Sequence, residues 1–398
     1  MKAKKTKTLL TNPDLMNILI NEVQHTVSEA RDDILSLLLF ISGRLVKNSR
    51  AASYNVIVHS DSGEGKDAIV RAVGKLLPTD LFIARSSISP TALKHWLSGH
   101  EGWTWKCKAL YVEDIPISTL NCDDFKNISG TEEKISTVTS TKQIAEDLRS
   151  GGKPPIILTM ADIYMKAQTK RRFAICHIEE RDGQKILLKI SQESSHDIDY
   201  ISPECVEIRN ALSKLKQVRV LIPYKEVLAL TFISDRKYRT LFGRFLDIIA
   251  ASAALHQKQR TTKHGSIIAN QTDYEYACIA LIKVIQGIHY SLSSQQRDII
   301  EIMKRKYSEK RVGNAEEFTV RFLADLFSMY PKNMRMNLVT LKKEGVIESK
   351  IIRGGIYVRR PVEVYFITKE TPFLVVPWRV IAKDMESKRY KRRNRCKR

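Results

Sequence analysis

The sequence predicts an α/β protein: a parallel sheet with helices on both faces, then a helical region, then a smaller basic module. Three observations predict it. Short apolar runs alternate with helical segments as far as Glu180, the pattern of parallel strands joined by crossover helices. One of these runs, Tyr54–His59, passes through a glycine-containing turn into the helical stretch "DAIVRAVGKLL". From Glu316 onward the pattern changes to helix, tight turn, helix and two short β segments.

Taken in order, residues 14–47 carry apolar positions at three-to-four spacing and predict helix. Strands are expected at 54–59, 81–85, 108–114, 155–160 and 173–180. They are short continuous apolar runs, as strands covered on both faces require. Helices are expected at 205–216, 223–231, 236–257 and within 272–305. No internal repeat is present.

The chain has 398 residues, 43% of them apolar, and a net charge of +22. That is enough for two or three domains with real cores, and a field of that sign attracts phosphate polyanions or anionic surfaces. Lys2, Lys4, Lys5 and Lys7 open the chain, and the tail "KRYKRRNRCKR" closes it. The tail cannot bury a core. Its simplest use is non-specific phosphate contact, with a targeting signal or an anionic-membrane patch as the alternative. The six cysteines are scattered without a C-x-x-C pair, so free thiols are expected rather than a disulfide framework or zinc site. No stretch approaches the roughly 18 consecutive apolar residues of a membrane span, and no leader-like apolar run follows the basic start. A cytoplasmic protein off the membrane is the expectation.

The turn after the first strand is the chemical centre of the sequence. Ser60–Asp67 reads "SDSGEGKD", against the phosphate-loop pattern G-x-x-x-x-G-K-[ST]. Gly65 and Lys66 keep the pattern, while Ser60 replaces the first glycine and Asp67 the hydroxyl residue. Gly63 and Gly65 let the backbone turn its N–H groups inward, the helix start adds a positive dipole, and Lys66 would reach the terminal phosphates. A plain strand–turn–helix connection with a surface lysine is the competing reading. The strand "ALYVED" ends in Glu113 and Asp114. In phosphate-loop ATPases such a strand is expected beside the loop's strand, its first acid holding Mg²⁺ and its second activating the attacking water. Thr159, near the end of "PIILTM", can hydrogen-bond the γ-phosphate or that water. Lys170, Arg171 and Arg172 precede the fifth strand, either as a solvated turn or as the source of an arginine for a neighbouring subunit's nucleotide.

The series resembles the AAA+ ATPases, and more narrowly the minichromosome-maintenance-like helicases carried by plasmids, prophages and other mobile elements. The resemblance runs over residues 25–360 and rests on "SGEGKDAIVRAVGKLLP", "ALYVED", "PIILTMAD", "TKRRF", "VRVLIPYKEVLAL" and "DRKYRTLFGRFLDIIAASAALHQKQR". It implies Lys66 as loop lysine, Glu113 and Asp114 as the Mg²⁺ and catalytic acids, Thr159 as first sensor, Arg172 as arginine finger and Arg239 as second sensor. Asp67 departs from the family's Ser or Thr, as a carboxylate that could bind the metal directly but adds charge beside the phosphates. The implied organisation is a basic extension at 1–24, an ATPase core at 25–200, a helical lid at 201–305, a winged helix at 306–370 and a basic tail at 371–398. The implied cofactors are ATP and Mg²⁺. The implied partners are DNA, further copies of the chain in a hexameric ring, and a primase or initiator.

The stretch Glu316–Arg360 itself reads as a winged helix. Phe322, Leu323, Leu326 and Phe327 are expected to form one apolar helical face. The second helix is expected to bury Met336, Val339 and Leu341 and to expose Lys332, Asn333, Arg335, Asn337, Lys342 and Lys343. "VIESKIIRGGIYVRR", with Arg353, would be the hairpin wing. A helix in the major groove beside a basic hairpin is a DNA-reading geometry, and protein contact through the same core is the alternative. The function expected is therefore an ATP-dependent DNA helicase or replication-initiation ATPase. The rival is a DNA-binding initiator or regulator whose ATPase domain turns over weakly or not at all.

Overall fold

The computed structural model describes residues 9–60, 64–89, 104–113, 115–130, 136–141, 144–149, 153–160, 171–178, 201–232, 239–290, 294–309, 318–343, 347–352, 362–367 and 377–383, with isolated positions at 183, 186–187, 191 and 385. They fall into two compact units: one of residues 1–232, 239–287 and 375–398, the other of residues 233–238 and 288–374. Most of the region expected as a lid thus shares a unit with the expected ATPase core.

In the larger unit, helices α1 (Leu15–Gln24) and α2 (Arg31–Ser42) precede strand β1 (Val56–His59), helix α3 (Lys66–Gly74) and strands β2 (Phe82–Arg85) and β3 (Ala109–Val112). Two short helices, α4 (Ile117–Asn121) and α5 (Asp123–Ile128), lead to a hairpin of β4 (Ser136–Thr141) and β5 (Ile144–Arg149), then to β6 (Ile156–Met160) and β7 (Ala174–His177). The five apolar strands form one parallel sheet in the order β2-β3-β6-β1-β7. Ile57, Leu110, Val112, Ile156 and Leu158 pack with Leu120, Phe125 and Ile128 of α4 and α5 in one core cluster. The alternate residues Val56, Val58, Tyr111 and Ile157 are equally buried, so both faces are covered, and this is why the strands read as unbroken apolar runs.

The strand order corrects one expectation. β3, which leads to the acids, does not lie beside β1, which leads to the loop; β6 lies between them. Strands are spaced about 4.8 Å apart, so the acid-bearing end stands roughly 10 Å from the end of β1. Thr159 fills the interval. Its hydroxyl donates to the Glu113 carbonyl at 3.1 Å, which ties the end of β6 to that of β3.

The rest of this unit includes α6 (Pro203–Leu212), β8 (Arg219–Leu221), α7 (Lys225–Thr231), α8 (Arg239–Leu255), β9 (Thr262–Lys263), β10 (Ser266–Ile268) and α9 (Gln271–Tyr290) as far as Gly287. The three short strands form a small sheet, β8-β10-β9, absent from the sequence reading. α8 packs on α2 and on residues 51–54, with Arg244 Nε donating to the Ser53 carbonyl and the Tyr54 hydroxyl to the Asp247 carbonyl. Among the described residues, no helix is long and apolar enough to cross a membrane. The described cysteines are free: Cys176, Cys205 and Cys278 are buried and Cys107 and Cys122 half-buried.

The smaller unit contains α10 (Ser294–Glu309), β11 (Phe318–Thr319), α11 (Val320–Leu326), α12 (Pro331–Lys343), β12 (Ile347–Ile352) and β13 (Val362–Ile367), with an antiparallel sheet in the order β11-β13-β12. Its core takes Leu323 and Ala324 from α11 and Met334, Leu338 and Leu341 from α12. The buried register of α12 is therefore 334–338–341, the i, i+4, i+7 stripe of a helix seated on a core. Met336 and Val339, expected inside, are 64% and 54% exposed, and Phe322 and Leu326 of α11 also face outward.

Candidate functional site: the carboxyl edge of the sheet

Parallel strands bring all their carboxyl ends to one edge, and the sequence-predicted groups gather there. β1 ends at His59, and Ser60 behind it is fully buried. Gly63 lies outside the described residues. Gly65 is the cap of α3, in the left-handed region at φ 74°, a conformation in which a side chain is strained. The helix starts at Lys66, so its first N–H groups open at the loop, where nothing within the helix can accept from them. Such a terminus, with a lysine on its first turn, suits a phosphate.

Asp67 occupies the same turn. A carboxylate there is favoured by the dipole, and its Oδ1 accepts from the Tyr111 hydroxyl at 3.0 Å. Tyr111 stands on β3, buried, with Thr159 Oγ1 at 3.3 Å from its hydroxyl. Burial pushes its phenol well above the ordinary range, with the hydrogen bond to Thr159 opposing and the nearby Asp67 carboxylate adding to the rise. The hydroxyl therefore stays protonated and donates. One helical turn beyond Asp67, Arg71 forms an ion pair with Glu113, its Nη2 at 2.5 Å from Oε1. That contact raises the arginine further above its ordinary value.

The structure thus brings together Gly65, Lys66, Asp67, Glu113 and Thr159. Two residues missed from the sequence, Arg71 and Tyr111, hold its two described acids. Both were detectable. Arg71 is four residues after Asp67, on the same helical face, and Tyr111 is two residues before Glu113, on the same face of the strand. Asp114 lies outside the described residues. A third missed feature is His59 against His177, the last residues of β1 and β7, with their Nδ1 atoms 3.1 Å apart. At that separation one ring donates and the other accepts, so they take opposite roles.

Two predicted residues sit elsewhere. Arg172 is half-buried and donates to the Lys126 carbonyl of its own chain, whereas Arg171 is exposed. A finger that serves a neighbour must project, and within this chain Arg171 is the more exposed of the two. Arg239 opens α8, and the turns that follow seat on the segment entering β1: Gly243 lies against Arg50 and Arg244 on Ser53. Arg239 itself is exposed, and a second-sensor role for it rests on the resemblance alone. In the smaller unit Lys332 and Arg335 are exposed on α12. Lys342 donates to Ser349 Oγ at 2.5 Å and lies 3.5 Å from Glu363 Oε1. Lys343 closes the helix with its side chain outside the description, as is all of Arg353.

The donor set fits a nucleotide with Mg²⁺. Among the described residues no group of three or more His, Cys, Asp or Glu side chains is assembled for a metal. Mg²⁺ with a nucleotide needs only one or two carboxylates, phosphate oxygens and water supplying the rest. Glu113 and Asp67 would hold it, and the metal would neutralise phosphate charge there. A twisted parallel sheet with a left-handed glycine, a lysine-led helix and an acid at its carboxyl edge defines a phosphate-loop NTPase. The family model of the MTBMA_p00010 P-loop domain matches residues 1–213, more than half of the chain, and the chain belongs to that family. No curated protein matches it.

Arg71 sets a measurable condition on this site. Glu113 must release the guanidinium before it can serve a cation. Arg71→Ala is expected to lower the Mg²⁺ concentration that half-saturates nucleotide binding several-fold, read by titrating Mg²⁺ against a fluorescent ATP analogue. An unchanged midpoint would mean that Glu113 is not a metal acid.

Proposed function

We propose that the chain is an ATP-dependent DNA motor of the AAA+ class, similar to the minichromosome-maintenance-like helicases of mobile elements, working as an oligomeric ring. The observation that carries this reading is the combination within one strongly basic chain. Loop lysine, polar Thr159 and acid strand stand in sequence along one sheet edge, and a separate unit has a helix–turn–helix and a β-hairpin. The smaller unit is read as the winged helix. On α12, exposed Met336 and Val339 flank exposed Arg335. An apolar and basic helix face suits thymine methyls, guanine edges and phosphates in a major groove. In this reading Lys66 and the α3 terminus bind the phosphates, Glu113 and Asp67 hold the metal, and Asp114 activates the water. Thr159 positions the reacting oxygen, and Arg171, more exposed than Arg172, takes the finger role. A ring of hexameric order and a primase or initiator partner belong to the same reading.

One observation favours a second reading. Asp67 is bound by Tyr111 and Glu113 by Arg71, so both described acids are engaged within the chain. That suits an initiator or regulator with slow turnover. ATP hydrolysis by the full chain, with and without single-stranded and duplex DNA, separates the two. Stimulation of tenfold or more by DNA supports the motor. Nucleotide binding with no DNA-stimulated turnover supports the initiator.

A further inference from the structure

The amino edge of the sheet, opposite the loop, holds a cavity of about 200 Å³. Its place follows from its walls. Tyr54 lies two residues before β1, Pro155 immediately precedes β6 and Trp105 stands just ahead of β3, and parallel strands all begin on the same edge. The cavity is more than ten times the space one water needs, yet smaller than the pockets that enclose drug-sized ligands.

Its chemistry is one-sided. Arg44, Lys47 and Lys153 line it, together with Ser49 and Gln217, and no described lining residue is acidic. Arg44 is 5% exposed. Its Nη1 donates to the Cys107 carbonyl at 2.9 Å, its Nε is buried with no partner, and it forms no ion pair among the described residues. Burial lowers its pKa to about 10, opposed by the weaker influence of Cys107 and Asp80. The guanidinium therefore remains charged at neutral pH. A buried cation without a carboxylate costs several kcal/mol unless something compensates it. Lys47 lines the cavity and is exposed at its rim. Lys153 donates to the carbonyls of Asn127 and Gly130 at 2.5 and 3.4 Å, which holds a third positive charge on the wall.

We propose that this cavity is a second anion site, separate from the loop, that takes a phosphate or phosphomonoester group on Arg44 and Lys47. A guanidinium with free donors matches phosphate oxygens, and the volume admits a phosphate group but not a whole nucleotide. The group comes either from a free phosphoester or from a nucleic-acid backbone passing the amino edge.

The test uses the full chain carrying Lys66→Ala, so that the loop does not contribute and the site stands or falls apart from the loop reading. Inorganic pyrophosphate is titrated by calorimetry. One binding event is expected. Lys47→Glu, an exposed change that leaves the fold intact, should weaken it at least tenfold, and Arg44→Lys should also weaken it. No heat in the Lys66→Ala chain, or equal affinity after Lys47→Glu, overturns the proposal. Two arms identify the source. If an oligo-dT competes with pyrophosphate, and Lys47→Glu reduces the salt slope of oligonucleotide binding by about one contact, the group is a nucleic-acid phosphate. If a nucleoside monophosphate competes and oligo-dT does not, it is a free phosphoester.

Discussion

Asp273→Ala is expected to destabilise the larger unit by about 3–5 kcal/mol, the range for leaving a buried charge without its partner. Asp273 is fully buried and accepts from four donors: Ser252 Oγ at 2.7 Å, Arg260 Nε and Nη2 at 2.8 Å each, and the Asn270 amide at 3.0 Å. The Asn270 side chain accepts in return from the Asp273 amide at 3.3 Å, a reciprocal cap on the start of α9. The same carboxylate ties the end of α8, through Ser252, to the turn that carries Arg260. Alanine leaves Arg260, whose side chain is 7% exposed, without its carboxylate. Asp273→Asn should cost less, because it keeps the shape and some acceptors. Two units need not unfold together, so the measurement is hydrogen exchange of the α8 and α9 amides. Unchanged protection in the alanine variant would show that the cluster does not hold these helices.

Arg171→Ala is expected to reduce ATP turnover by about 10³-fold, the scale of a lost arginine finger, while ATP binding stays close to wild type. The guanidinium would meet charge that develops only in the transition state, so it changes rate more than ground-state affinity. Arg172→Ala should act differently: it removes the contact to the Lys126 carbonyl and lowers stability first. Asp114→Asn should also bind ATP without hydrolysing it. Arg171→Ala and Asp114→Asn spoil opposite sides of a subunit boundary, so mixing them creates some boundaries with both groups intact. Partial rescue of turnover supports a site shared between subunits. A mixture that stays inactive while subunits exchange argues against one.

The five strands of the main sheet were legible because each is a compact apolar run bounded by polar or glycine residues. The β8-β10-β9 sheet was not: its strands are two or three residues long, and β8 pairs with β10 across more than 40 positions, which no local pattern reports. The β4–β5 hairpin was missed because "STVTST" has no apolar alternation. α12 shows how a helix can be found and its face misplaced. Met334, Met336, Leu338, Val339 and Leu341 offer two overlapping apolar stripes, and only packing against Phe318, Leu323 and Tyr365 selects the one through Met334, Leu338 and Leu341. At the site, the loop, Glu113 and Thr159 were legible from residue type and position. Arg71 and Tyr111 escaped because their role depends on which acids they meet, and that is set by the crossing of α3 over β3. A basic triplet does not reveal which of its side chains turns inward, and here Arg172 does so more than Arg171.

Nucleotide affinity of the full chain with Lys66→Ala tests the central claim, that the carboxyl edge at Gly65–Lys66 is the nucleotide site. A lysine-to-phosphate contact of the charged kind contributes about 1.5–3 kcal/mol, so equilibrium titration with ATP and Mg²⁺ should show affinity falling roughly ten- to hundredfold. Lys75→Ala, an exposed change just beyond the other end of the same helix, removes the same charge and should leave affinity unchanged. Equal affinity of wild type and Lys66→Ala would contradict the assignment.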